Sequence, residues 1–151
     1  MRIKLILKII IKYFYPSLKH LPFFFRLGNN SVKVIIFFKN KILLINNTYR
    51  KGWTFPGGRV KINESCEQAA IREVCEEVSI DINKLKNHGS FIFDGHKNNK
   101  TTVFTCKVKT SNIKIDNLEV EKAIWIDINK ASRLQLLPVA KQCAKIINLF
   151  G

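Results

Sequence analysis

The chain of 151 residues is long enough for one domain that buries about two-thirds of its unfolded surface, and too short for a second. Its 26 basic and 11 acidic residues give a net charge of +15, which suits a polyanionic partner such as nucleotide phosphates, RNA or an anionic membrane surface without selecting among them. Cys66, Cys75, Cys106 and Cys143 form no C-x-x-C pair, which excludes a zinc knuckle and a small disulfide scaffold and implies a reducing, cytoplasmic setting.

Residues 1 to 27 are apolar and basic. Lys4, Lys8 and Lys12 fall among Ile3, Leu5, Ile6, Leu7, Ile9, Ile10 and Ile11, giving a narrow lysine stripe and a wide apolar face on a helical wheel. A bilayer-spanning helix needs about 20 predominantly apolar residues, and these lysines interrupt the run too early. The broken apolar core, with no small-residue cleavage site after it, also fits a cleaved signal peptide poorly. An amphipathic helical arm over residues 1–30 is expected, preceding a domain over residues 31–151. The arm either packs on that domain or on a second subunit, or lies peripherally in a membrane interface; its wide apolar face favours packing.

From Ser31 the pattern changes to β-rich runs, predicting strands over Val32–Phe38 and Ile42–Ile45 with a hairpin turn at Lys39-Asn40-Lys41. The segment from Asn47 to Gly58 ends in paired glycines that permit close backbone approach. Arg50, Lys51 and Arg59 flank this loop, within reach of phosphate oxygens or simply of solvent.

Five of the eleven acidic residues lie between Glu64 and Glu77, and none precedes Glu64. Read as a helix over Ser65–Val78, the stretch carries an apolar stripe of Ile71, Val74, Cys75 and Val78, with Cys75 a buried thiol. Glu73, Glu76 and Glu77 project from the opposite side. Carboxylates three and four apart weaken an isolated helix by roughly 0.2–0.5 kcal/mol per pair, so something positive is expected among them. A hard divalent cation takes such oxygen ligands; a solvated acidic face is the plainer alternative.

Gly58, five residues, Glu64, seven residues, then Arg72-Glu73-Val74-Cys75-Glu76-Glu77 closed by Ile80 resembles the signature of the Nudix hydrolases, enzymes that cleave a nucleoside diphosphate linked to another group. The departure is Ser79, where the family has a Gly that ends the helix in a left-handed conformation; a side chain there costs on the order of 1 kcal/mol. Asn63, ahead of the first Glu, is the residue type next most tolerant of that conformation.

Beyond the helix, Phe91–Phe93 and Thr102–Val108 are predicted strands joined by the polar loop 94–100, and Glu119-Val120-Glu121 leads into a strand through Trp125 and Ile126. Asp127 or Asn129 is placed to cap a short helix, and Val139–Phe150 reads as a closing helix behind Pro138. Trp53, Phe55, Phe91, Phe93 and Tyr49 are available for base stacking, although such strand aromatics more often belong to a core.

The resemblance implies an α/β fold, an α/β/α sandwich around a mixed sheet. It implies magnesium, or manganese, held by Glu73, Glu76, Glu77 and the Gly57 carbonyl, with Glu64 bracing the loop or joining a second ion. Arg72 would orient a neighbouring carboxylate, Glu73 or Glu119 would act as general base, and Arg50 and Arg59 would meet phosphates. The expected substrate is a nucleotide derivative. A non-catalytic nucleotide- or RNA-binding regulator is the alternative, and a homo-oligomer stays open. Two family substrate readings are weakened, because no Pro lies between Pro56 and Pro138 and no Tyr follows Tyr49.

Overall fold

The computed structural model describes residues 27–92, 99–115 and 118–151. The expected amino-terminal arm, with its membrane or packing role, lies outside the described residues, as do Phe93 and most of the loop 94–100. Along the described chain run β1 (Leu27–Phe38), β2 (Lys41–Asn47), β3 (Arg50–Thr54), β4 (Arg59–Lys61), α1 (Cys66–Val78), β5 (Lys86–Ile92), β6 (Lys100–Lys107), β7 (Val120–Asp127), α2 (Ile128–Ala131) and α3 (Pro138–Ile146).

The strands form one mixed seven-stranded sheet in the order β3-β2-β1-β6-β5, with β4 on β1 and β7 on β2. β1 lies parallel to β6 from Ser31↔Thr101 to Phe37↔Lys107, and the other pairings are antiparallel. Central strands buried on both faces read as unbroken apolar runs, which is why β1 and β2 were legible. Val32, Val34, Ile36, Leu43 and Ile45 pack on one face with Ala69, Ala70, Val74 and Val78 of α1. Ile35, Ile42, Leu44 and Phe55 pack on the other with Ala140, Cys143 and Ala144 of α3. Helices on both faces of a mixed sheet are the expected sandwich.

β1 and β2 pair only beside their turn, at Phe37↔Ile42 and Phe38↔Lys41. Farther along, β2 pairs with β3 while β7 keeps its other edge, so β3 and the chain after it wedge between the splayed strands. That wedge includes Pro56 and Gly58, whose carbonyls accept the backbone N–H groups of Val34 and Val32, both at 2.9 Å. The glycine-rich loop is thereby stitched into the sheet beside α1.

Several boundaries differ from expectation. β1 begins at Leu27, ahead of the apolar run, because Leu27 and Ser31 pair with β4, a short strand that carries too few residues for a periodic signal. β5 starts at Lys86 because an edge strand pairs through its backbone whatever its side chains, here with a bulge between Asn87 and Ser90. α3 has Pro138 in its first turn as expected but ends at Ile146, before left-handed Asn148.

α1 matches its predicted span, with Ser65 and Gln68 forming a reciprocal capping box. Its buried face is turned from the predicted stripe, by roughly one residue's step of 100°. Ala69, Ala70, Val74, Val78 and Glu77 are buried, whereas Ile71 and Cys75 are exposed. The small alanines let the helix lie close to the sheet, and Glu77 finds a buried donor. Cys75 is therefore an exposed thiol and not part of the core.

Candidate active site

Gly57 is the pivot of the site. Its φ of +127°, and the carbonyl of Val32, which lies too close to leave room for a Cβ, both require glycine. Its N–H donates to Glu77 Oε2 at 2.7 Å, and its carbonyl accepts from Lys33 Nζ at 2.6 Å. Lys33 also donates to the Phe55 carbonyl at 2.9 Å. One residue thus presents its donor to a carboxyl group and its acceptor to an ammonium group.

Arg72 gathers the remaining carboxylates. Its Nε and Nη2 grip Glu64 in a two-point fork at 2.7 and 2.8 Å, and Nη1 donates to Glu73 Oε1 at 2.7 Å and Glu76 Oε2 at 3.2 Å. Nη2 also donates to the Arg59 carbonyl at 3.0 Å, tying α1 to β4. Glu64 closes the loop by accepting the Lys61 N–H at 2.8 Å. Forked guanidinium contacts of this kind fix geometry as well as charge. Gly58 makes room for the cluster, since a Cβ there would lie 2.6 Å from the Glu73 carboxylate.

Burial separates these acids. Glu64 is held below the usual carboxylate range, chiefly by its hydrogen bond from Arg72. Glu73 is raised, because desolvation outweighs Arg72. Glu77, 5% exposed, is pushed up to about 8 by burial, against the Lys33 charge and the Gly57 N–H. Glu76 remains in solvent, its side chain 57% exposed. The sequence wheel set Glu73, Glu76 and Glu77 side by side facing outward; the structure sinks Glu77 beneath the loop and leaves Glu76 at the surface.

The outer candidates converge less tightly. Glu119 is exposed just before β7; its carbonyl accepts the Thr48 N–H, and its charge adds to the upward push on Glu77. Arg50 opens β3, exposed, at the same end of β2: Asn47 is in register with both Arg50 and Val120. Arg59 is exposed on β4, joined to the cluster through its backbone. Phe55 is fully buried, and half-buried Trp53 and Phe91 pack on the same cluster, so these aromatics serve the core.

A family model described as the NUDIX domain matches residues 29–150. The chain belongs to the Nudix family. It is 33% identical over 99 residues to the mRNA-decapping enzyme subunit 2 of Saccharomyces cerevisiae, covering 62% of this chain and 10% of that protein. It is 34% identical over 91 residues to the NAD-capped RNA hydrolase NudC of Pasteurella multocida, covering 59% and 34%. This chain therefore spans well under two-thirds of either relative. Among solved structures, the NUDIX domain of Shewanella oneidensis NrtR, complexed with ADP ribose, superposes with a TM-score of 0.70 at 16% identity, over 90% of this chain and 96% of that one.

Nudix hydrolases generally use divalent metal ions, and the residues here fit one. The Gly57 carbonyl already holds a cationic group, and the four carboxyl groups gather around Arg72 and Lys33, with Glu77 driven toward its neutral form. Among the described residues, however, no three acidic, His or Cys side chains converge as a ready-made metal shell, because Arg72 holds Glu64, Glu73 and Glu76. Sequence reasoning missed Lys33. Its signal was a single lysine within the otherwise apolar run Val32–Phe38.

Proposed function

We propose that this Nudix chain is a metal-dependent pyrophosphohydrolase that cleaves the diphosphate linkage of a nucleoside diphosphate derivative. One observation carries the reading: a buried carboxyl group, that of Glu77, and a cation-binding carbonyl, that of Gly57, meet at a single residue beside three further glutamates. A pure binder of anions has no use for such a concentration of negative charge.

In this reading Glu73, Glu76, Glu77, Glu64 and the Gly57 carbonyl hold magnesium, with manganese as a substitute. When bound, such an ion neutralises phosphate oxygens and acidifies water. Arg72 sets the orientation of Glu73 and Glu64 by its fork. Glu73, whose burial raises its proton affinity, or Glu119 just before β7 takes the proton of the attacking water. Arg50 and Arg59, exposed at the rim, meet substrate phosphates.

Capped or triphosphorylated RNA 5′ ends are the favoured substrate class, on the +15 charge and on two relatives named for mRNA decapping and NAD-capped RNA hydrolysis. The test is a turnover panel of nucleoside triphosphates, nucleotide sugars, dinucleotides and capped RNA, in magnesium or manganese and in EDTA. Metal-dependent release of phosphate, pyrophosphate or nucleoside diphosphate is expected, fastest on RNA. Binding without turnover on every substrate would refute the enzyme and favour a regulator.

A further inference from the structure

Lys33 is the sole charged residue between Ser31 and Phe38 in β1. It shares the parity of Ile35, on the sheet face that packs α3, and its charge is felt at Cys143 of that helix. From there the half-buried side chain places its ammonium 2.6 Å from the Gly57 carbonyl and 2.9 Å from that of Phe55. Its charge also reaches Glu77 and Glu73, so it opposes the carboxylate cluster from the side away from Arg72.

The carbonyl that Lys33 grips is the one assigned above to a divalent ion, and two cations repel one another on one oxygen. We propose that Lys33 is an exchangeable internal cation: it holds the Gly57 carbonyl while the site lacks metal, and a divalent ion enters only by displacing its ammonium. Lys33 thereby sets the metal concentration at which the site fills, and it restrains the glutamates until then. The inference rests on the metal-site reading. A lysine that merely braces β1 against the loop would act with the opposite sign, since its removal would loosen Gly57 and weaken metal binding.

The probe is Mn2+ alone, titrated into the full chain without nucleotide, with free ion followed by electron paramagnetic resonance. Lys33→Met is expected to bind Mn2+ about tenfold or more tightly than the native chain, the scale of one charge-assisted hydrogen bond no longer given up. Lys33→Arg, which keeps the charge, should stay near the native affinity. Unchanged or weaker binding in a Lys33→Met protein with native circular dichroism overturns the proposal. If Lys33→Met does not fold, the native chain carrying 13Cε-labelled lysine, assigned with Lys33→Arg, replaces it. On Mg2+ saturation the Lys33 signal should move toward that of an exposed lysine, and a stationary signal overturns the proposal. Glu77→Gln separates the two readings. Native binding that Glu77→Gln weakens while Lys33→Met fails to strengthen sinks the Lys33 proposal alone; a native chain that binds no Mn2+ sinks the metal site with it.

Discussion

Glu77→Gln removes a charge that the fold has buried and leaves the side chain's shape, so it separates the cost of that charge from its use. Burial pushes the Glu77 carboxyl up to about 8 from its ordinary 4.5. The unfolded chain gives up this proton near pH 4.5 and the folded chain near 8, so the unfolded state binds fewer protons across that window. Stability of the metal-free protein therefore falls as pH rises from about 4.5 to 8, and the full cost stands above 8. At 1.36 kcal/mol per pH unit the gap corresponds to at most about 5 kcal/mol, and relaxation around the charge brings the expected range to about 2–5 kcal/mol. Glu73, also raised, pushes in the same direction and is present in both proteins.

The Gln side-chain oxygen still accepts the Gly57 N–H, so Glu77→Gln keeps the bond that Glu77 makes at 2.7 Å and loses only the charge. In EDTA at pH 9 the variant should melt higher than the native chain by about 4–20 °C for a domain of this size. At pH 5 the two should melt together. Magnesium should then raise the native melting temperature and leave the variant almost unmoved, while turnover falls at least about a hundredfold. Calorimetry at the two pH values, with and without metal, reads all of this. An equal difference at pH 5 and pH 9 in EDTA would refute the reasoning from burial.

Arg72→Lys keeps a charge and loses the fork on Glu64, so about 1–3 kcal/mol of stability should be lost in urea denaturation. Gly58→Ala drives a methyl group into the Glu73 carboxylate, which Arg72 pins; turnover should fall about tenfold or more, with under about 2 kcal/mol lost in stability. Ser79→Gly relieves a side chain at φ +55° that the helix end tolerates, because the Ser79 N–H still reaches the Cys75 carbonyl; the melting temperature should rise by the equivalent of about 0.5–1 kcal/mol with activity unchanged.

Spacing made the helix and the acidic cluster legible, because each depends on contacts short in sequence. Ser65 caps its own helix, Arg72 reaches Glu73 and Glu76 within a turn, and Asn63 and Ser79 both adopt the left-handed conformation, Ser79 despite its side chain. What stayed illegible depends on contacts long in sequence. The turn of α1 that buries Glu77 follows from Gly57, twenty positions earlier, offering a donor inside the sheet. A helical wheel weighs apolar side chains alone, so it left Glu77 outside and drew Cys75 and Ile71 inside.

Lys33 shows the same limit from the other side. In a strand buried on both faces a lysine reads as a fault in the pattern, and only the splay of β1 from β2 shows that its ammonium has two carbonyls to meet. The site is thus held by two opposed devices. Arg72 binds three carboxylates through contacts internal to the motif, and Lys33 holds the Gly57 carbonyl from a strand outside it. A motif can specify the first without the second. Metal affinity in this chain should therefore depend on a residue that no reading of the motif includes.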